Sequence, residues 1–214
     1  MQAHFLFDWH QARNEPYEAD DQKYFPSFEL DKITPVQVIS SGPDTGFESI
    51  KNSYIRMILS AKKYVYIQSP YFVPDEAFLH AVQIAASSGV DVRVMTPENT
   101  DHPFVYGANS AYNGELLEHG GRVFRYKKGF LHAKMLVVDD EVATIGTTNI
   151  DVRSFSLNFE MNALIYDEAI AKECRKLFEQ DQEDSFEMTP ELYEQRTPWT
   201  KVREACSRLI SPIL

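Results

Sequence analysis

Between Phe130 and Asn149 the sequence reads FLHAKMLVVDDEVATIGTTN. His132 and Lys134 stand two residues apart, Asp139 follows, and Gly146-Thr147-Thr148-Asn149 closes the run. These side chains suit a phosphodiester. An imidazole attacks phosphorus or shuttles a proton near neutral pH. A lysine ammonium is a compact positive charge for the non-bridging oxygens, and threonine and asparagine are neutral donors. Donors fixed in advance where negative charge develops are usually the largest catalytic contribution. Taken singly, each has a plainer role: a structural histidine, a solvated lysine, a Gly-Thr-Thr-Asn turn. Together, at fixed offsets, they point to one site built from His132, Lys134, Thr147 and Asn149. No His–carboxylate cluster at metal-ligand spacing accompanies them, so the site need not use a metal, and no cofactor is called for.

The elements that must position this site follow from pattern. Lys134 to Val138 and Val142 to Thr147 read as two strands joined by the acidic turn Asp139-Asp140-Glu141. Residues two apart on a strand share a face, which lets His132 converge with Lys134 and Thr147 with Asn149. Asp139 falls off that face, so it is assigned to the turn, supporting the site from behind. Glu160 opens a further strand to Tyr166, flanked by Phe159 and Met161, and is expected to be a carboxylate that orients an imidazole.

The rest of the chain alternates. Val36 to Ser40, Tyr64 to Gln68, Val90 to Met95 and Val123 to Tyr126 read as strands. Phe47 to Ala61 repeats at helical spacing, and Asp75 caps a second helix that stops before Gly89. Asn109 to His119 forms a third. Asp167 caps a fourth, with Ile170, Cys174, Leu177 and Phe178 inward. Pro190 and Pro198 open two shorter helices. Such alternation predicts an α/β fold, with helices on both faces of a mostly parallel or mixed sheet. Residues 1–34 read as an extension or linker without a recognisable element start, as if cut from something longer. Residues 35–186 form the catalytic domain and 187–214 a helical appendage, with the tail turning helical from Asp184 onward.

Composition limits the partners. Lys and Arg number 21 against 32 Asp and Glu, a net charge of −11. That disfavours nucleic acid, whose phosphates bind basic surfaces. The basic stretch Arg122, Arg125, Lys127 and Lys128 either meets lipid phosphates near the site or forms a solvated strand edge. Tyr71 and Phe72 line a pocket or fill the core, with the core favoured. Cys174 and Cys206 are too few for a disulfide framework. No apolar run reaches the ~20 residues of a transmembrane helix, so the chain itself is expected to be soluble.

The spacing His132-x-Lys134-x4-Asp139-x6-Gly146-Thr147-x-Asn149 resembles the signature of the phospholipase D superfamily, with Thr147 where serine is usual. Ser41-Gly42-Pro43-Asp44 and Ser69 to Glu76 are similar to the C-terminal half of the bacterial cardiolipin synthases. So are Asn149 to Phe155, Asn158-Phe159-Glu160 and the ending Arg208-Leu209-Ile210-Ser211-Pro212. The resemblance implies a phospholipase D-like α-β-α sandwich with a mixed central sheet. It implies phosphatidyl transfer between two phosphatidylglycerol molecules, with release of glycerol, through a phosphohistidine. Membrane lipid is then the partner, and the full-length protein sits at a bacterial cell membrane. A second His-Lys motif comes from a missing N-terminal half or from a second copy. By analogy His132 is the general acid/base; which histidine is the nucleophile stays open. Glu160 would reach the histidine of the opposite motif. Two rivals remain: a hydrolase of the same superfamily, with water as acceptor, and an isolated half that binds phosphate or lipid without turnover.

Overall fold

The computed structural model describes residues 1–14, 24–27, 33–44, 46–99 and 103–210, so Ser211 and Pro212 of the quoted ending lie outside it. Two compact units divide the chain, Met1–Thr34 and Pro35–Leu214. In the first, a helix α1 (Gln2–Arg13) stands where no element start was expected. It has no side-chain N-cap bond and no acid in its first turn, so the usual start signals are missing. Its legible signals are terminal: His10 and Arg13 in the last turn, and Asn14 left-handed at φ 55°.

In the second unit the elements run β1 (Val36–Ser41), α2 (Ser49–Ser60), β2 (Tyr64–Gln68), β3 (Phe72–Val73), α3 (Glu76–Ser87) and β4 (Asp91–Pro97). Then come α4 (Pro103–Glu118), β5 (Arg122–Tyr126), β6 (Met135–Val138), β7 (Val142–Gly146), β8 (Ile150–Asp151) and α5 (Val152–Ser156). The unit closes with β9 (Glu160–Ile165), α6 (Glu168–Glu183), β10 (Ser185–Met188), α7 (Pro190–Glu194) and α8 (Pro198–Ile210).

Eight strands form one sheet in the order β1-β9-β7-β6-β2-β4-β5-β10, and β3 pairs β8 in a small second sheet. The helical crossovers α3 and α4 leave β2, β4 and β5 parallel. The short β6–β7 turn forces an antiparallel pair, and β9, β1 and β10 also join antiparallel, so the sheet is mixed. Strand alternation sorts side chains into two cores. Val65, Ile67, Leu136 and Val138 pack with Tyr54, Ile58, Phe78 and Val82 of α2 and α3. Tyr64, Tyr66, Met135 and Val137 pack with Ala171, Cys174 and Phe178 of α6. Helices therefore cover both faces, and the α-β-α sandwich follows from period-two strands with no polar face.

Two expectations need correction. Leu177 is half exposed rather than inward. The buried stripe of α6 runs through Ala171, Cys174 and Phe178, at spacings of three and four, and Leu177 lies about 100° from Phe178. The tail from Asp184 is not a purely helical appendage. Ser185–Met188 extends the sheet against β5, in register from Ser185↔Tyr126 to Met188↔Val123. Helix α8 then packs on α4, where Ser110 Oγ donates to the buried Glu204 at 2.6 Å and Arg196 pairs with the same carboxylate. Among the described residues no helix is long and apolar enough to cross a membrane.

Candidate active site

His132 and Lys134 lie on the segment just before β6 rather than on the strand itself. Gly146 N donates to Lys134 O at 3.3 Å, so the β6–β7 ladder still fixes the Lys134 backbone. The Lys134 ammonium donates to His132 O at 2.9 Å, folding the segment back on itself. The His132 ring is exposed and stacks on Phe130, with centroids 5.6 Å apart at 29°. Among the described residues no carboxylate hydrogen-bonds its ring nitrogens.

Across the hairpin, Thr147 N donates to Met161 O at 3.0 Å, tying the end of β7 to β9. The Thr147 hydroxyl accepts from Met161 N at 3.0 Å and donates to Glu160 in a short hydrogen bond. Asn158 Nδ2 reaches the other Glu160 oxygen at 3.3 Å. Thr147 was expected to be a free donor, but its hydroxyl is committed to Glu160. Asn149 hydrogen-bonds Asp151, while its Oδ1 is buried without a partner.

The electrostatics tie these groups together. Partial burial is the strongest influence on Lys134 and pulls its pKa below the ordinary lysine value, against the attraction of Glu160 and Asp151. Asp151 is pushed up, chiefly by burial and further by Glu160; the Ser154 amide and hydroxyl and Asn149 oppose the shift. Lys134 is thus a partly buried ammonium flanked by two carboxylates, with the side-chain carbonyl oxygen of Asn149 left unpartnered beside Asp151. Among the described residues no three His, Cys, Asp or Glu side chains gather to hold a metal ion.

Asp139 lies elsewhere. It sits in the β6–β7 turn, where Asp139 and Asp140 adopt φ 55° and 61°, a left-handed conformation that Asp tolerates better than most residues. Its carboxylate accepts from the amides of Lys62, Lys63 and Tyr64 at 2.7, 2.9 and 2.8 Å. At ~3.3 Å per residue it is roughly 16 Å along the strand from Lys134. Asp139 therefore lies in the turn as expected but clamps the start of β2 to the hairpin and touches none of the site's side chains, which corrects the expectation that it supports the site, and with it any catalytic role that its motif position suggests. Asp139→Ala should lower stability by about 3 kcal/mol and Tm by roughly 6–12 °C, since three charge-assisted bonds are lost. Phosphate binding at the site should survive. Thermal melts paired with phosphate titration check both.

The basic stretch is spent on structure. Arg122 forms a two-pronged pair with Glu187 at 2.7 and 2.8 Å, and Lys128 pairs with Asp184 at 3.1 Å. Arg125 is buried against the Tyr106 hydroxyl at 2.5 Å. These residues lie on or beside β5, separated from β6 by β4 and β2, so they do not flank the site. Phe72 is fully buried in the core.

Sequence reasoning assigned no role to Asp151, Asn158 or Ser69. Asp151 and Asn158 each lie two residues from a recognised site residue, and Asp151 caps α5 by accepting from Ser154 N at 2.6 Å. Those offsets were available signals. Ser69 Oγ accepts from Ile150 N at 3.1 Å across 81 residues of sequence, a contact no local pattern announces.

The chain is similar to known proteins. A family described as "Cardiolipin synthase, PLD-like domain" matches residues 54–182. The chain is 51% identical over all 214 residues to a cardiolipin synthase of Listeria welshimeri and 49% identical to one of Staphylococcus aureus. It spans 44% and 43% of their lengths, under half of each. Among solved structures it is similar to a phosphatidylserine synthase of Haemophilus influenzae, with TM-score 0.68 and 16% identity over 96% of this chain and 53% of that one. It is also similar to Nuc, a phospholipase D family member of Salmonella typhimurium, with TM-score 0.63 and 19% identity over 73% of this chain and 99% of that one. At such identities these two structures speak for the fold, and the sequence matches speak for the family. The chain belongs to the cardiolipin synthase family of phospholipase D-like domains.

Proposed function

We propose that this chain is the C-terminal catalytic half of a cardiolipin synthase. The observation that carries the proposal is the linkage of Lys134 to His132 O and, by charge, to Glu160 and Asp151, which in turn hydrogen-bond Thr147 and Asn149. Its substrates are two phosphatidylglycerol molecules at a membrane. A histidine nucleophile attacks phosphorus of the first, and the P–O bond to its terminal glycerol breaks. A second histidine gives that oxygen a proton, so glycerol leaves and a phosphohistidine remains. The same group then takes the proton of a hydroxyl on the second phosphatidylglycerol. That oxygen attacks phosphorus, the P–N bond breaks, and cardiolipin forms.

In this chain His132 acts as the general acid/base. Among the described residues its exposed ring has no carboxylate partner, which leaves the ring nitrogens open to substrate. Lys134 neutralises the non-bridging oxygens, and Asn149 adds a neutral donor. Glu160, held by Thr147 and Asn158, is an orienting carboxylate for the imidazole of the opposite motif. That motif comes from the rest of the full-length protein or from a second copy.

The test is the full-length protein with phosphatidylglycerol vesicles. Cardiolipin and free glycerol should appear one for one. Phosphatidic acid in place of cardiolipin would mean hydrolysis, with water as acceptor, and cleavage of plasmid DNA would indicate a nuclease. Lys134→Met should weaken inorganic phosphate binding by about tenfold to a hundredfold, the worth of a charge-assisted hydrogen bond. Calorimetric titration of the folded variant reads this directly.

A further inference from the structure

Behind the site, β9 carries a side chain that hydrophobic packing does not call for. Glu160, Asn162 and Leu164 share one face of the strand. Glu160 lies at the site and Leu164 in the core, and Asn162 is fully buried between them. Its Oδ1 accepts from the Thr148 hydroxyl at 2.8 Å and from Thr148 N at 3.4 Å. Its Nδ2 donates to the Tyr54 hydroxyl at 2.7 Å and to Thr144 Oγ1 at 3.1 Å. Tyr54, Thr144 and Thr148 are likewise buried. The hydroxyl partners would suit either orientation of the amide; the Thr148 N–H, which can only donate, sets Oδ1 toward Thr148.

The same side chain accounts for Gly146. Gly146 and Asn162 are register partners, and a Cβ on Gly146 would overlap Asn162 Oδ1 and Met161 O. Glycine thus lets the asparagine close onto the Thr148 backbone. One residue beyond Asn149, Ile150 N is held by Ser69 Oγ, and Ile150 pairs with Phe72 on β3. Asn149 is therefore suspended between two fixed points, Thr148 and Ile150.

We propose that Asn162 is a positioning residue for the site, setting the Thr148–Asn149 backbone through Thr148 so that Asn149 meets the phosphoryl oxygens. The proposal rests on the transfer reaction proposed above. A buried polar network is costly unless every member is satisfied, and an apolar residue would fill the same space. What the network adds is position, and a displacement of about 1 Å at a reacting centre costs roughly a hundredfold in rate.

The test uses Asn162→Ala, Thr148→Val and Thr148→Ser in the full-length protein. Thr148→Val removes the hydroxyl that Asn162 holds at nearly constant volume, and Thr148→Ser restores it. For Asn162→Ala and Thr148→Val, kcat should fall about thirtyfold or more while KM stays within about threefold, with Thr148→Ser recovering most of kcat. In the 214-residue chain, both damaging variants should shift the Asn149 side-chain amide resonances and weaken inorganic phosphate binding about tenfold or more. If Asn162→Ala fails to fold, Thr148→Val decides alone. Folded variants that lose Tm but keep kcat and phosphate affinity would reduce Asn162 to a packing residue and overturn the proposal. A wild-type protein without transfer activity would instead sink the reaction proposed above, and the phosphate and resonance measurements would still decide the role of Asn162.

Discussion

His132→Ala in the full-length protein is expected to abolish phosphatidyl transfer, lowering kcat by about 10⁴-fold or more. The size follows from its two duties. A glycerol alkoxide is a poor leaving group, and the incoming hydroxyl is a poor nucleophile; one imidazole serves both by giving and then retrieving a proton. Lys134 and Asn149 lower the charge barrier but move no proton, so their removal should cost less. Unfolding cannot explain such a loss. The His132 side chain is exposed, and its ring contact is the stack on Phe130, so alanine should shift Tm only slightly. The measurement is cardiolipin formed per enzyme beside a thermal melt. A kcat within tenfold of wild type would remove His132 from the mechanism. Accumulation of a phosphorylated enzyme in the variant would place His132 in the second step alone.

Much of this site was legible because its chemistry sits on one hairpin. Residues close in sequence stay close in space across a tight turn, and β-branched runs on either side of Asp139-Asp140 identify the strands. The helices of the catalytic unit were legible where a cap and an apolar stripe coincide, as in α3, where Asp75 accepts from Phe78 N at 2.9 Å. Other features resisted for physical reasons. The β10 strand is four residues long in an acidic, proline-flanked stretch, and only its pairing with β5 makes it a strand. Asp139 carried a motif position that invited a catalytic role, but hairpin length places it at the far end from Lys134. Asn162 reads as one polar residue in an apolar strand. Its meaning lies in Tyr54, which is 108 residues away.

The remaining large effect concerns the number of motifs. In-line displacement places the nucleophile and the leaving group on opposite sides of phosphorus, so a second group must give the leaving oxygen its proton. This chain offers one motif histidine, and Glu160 is hydrogen-bonded to Thr147 and Asn158 rather than to His132. In the proposed reaction this carboxylate orients the imidazole of the second motif. The isolated chain should therefore fold and bind phosphate, yet turn over a chromogenic phosphodiester at no measurable rate while monomeric. If two copies pair with their motifs facing, each His132 meets the Glu160 of its partner and weak activity returns. Activity per chain should then rise with concentration in step with the dimer fraction from sizing. Adding folded His132→Ala chains should poison it, because mixed pairs hold one histidine for two duties. Activity per chain that stays constant down to concentrations where only monomer is present would defeat the two-motif requirement. It would leave His132 to act with a single-chain partner such as water.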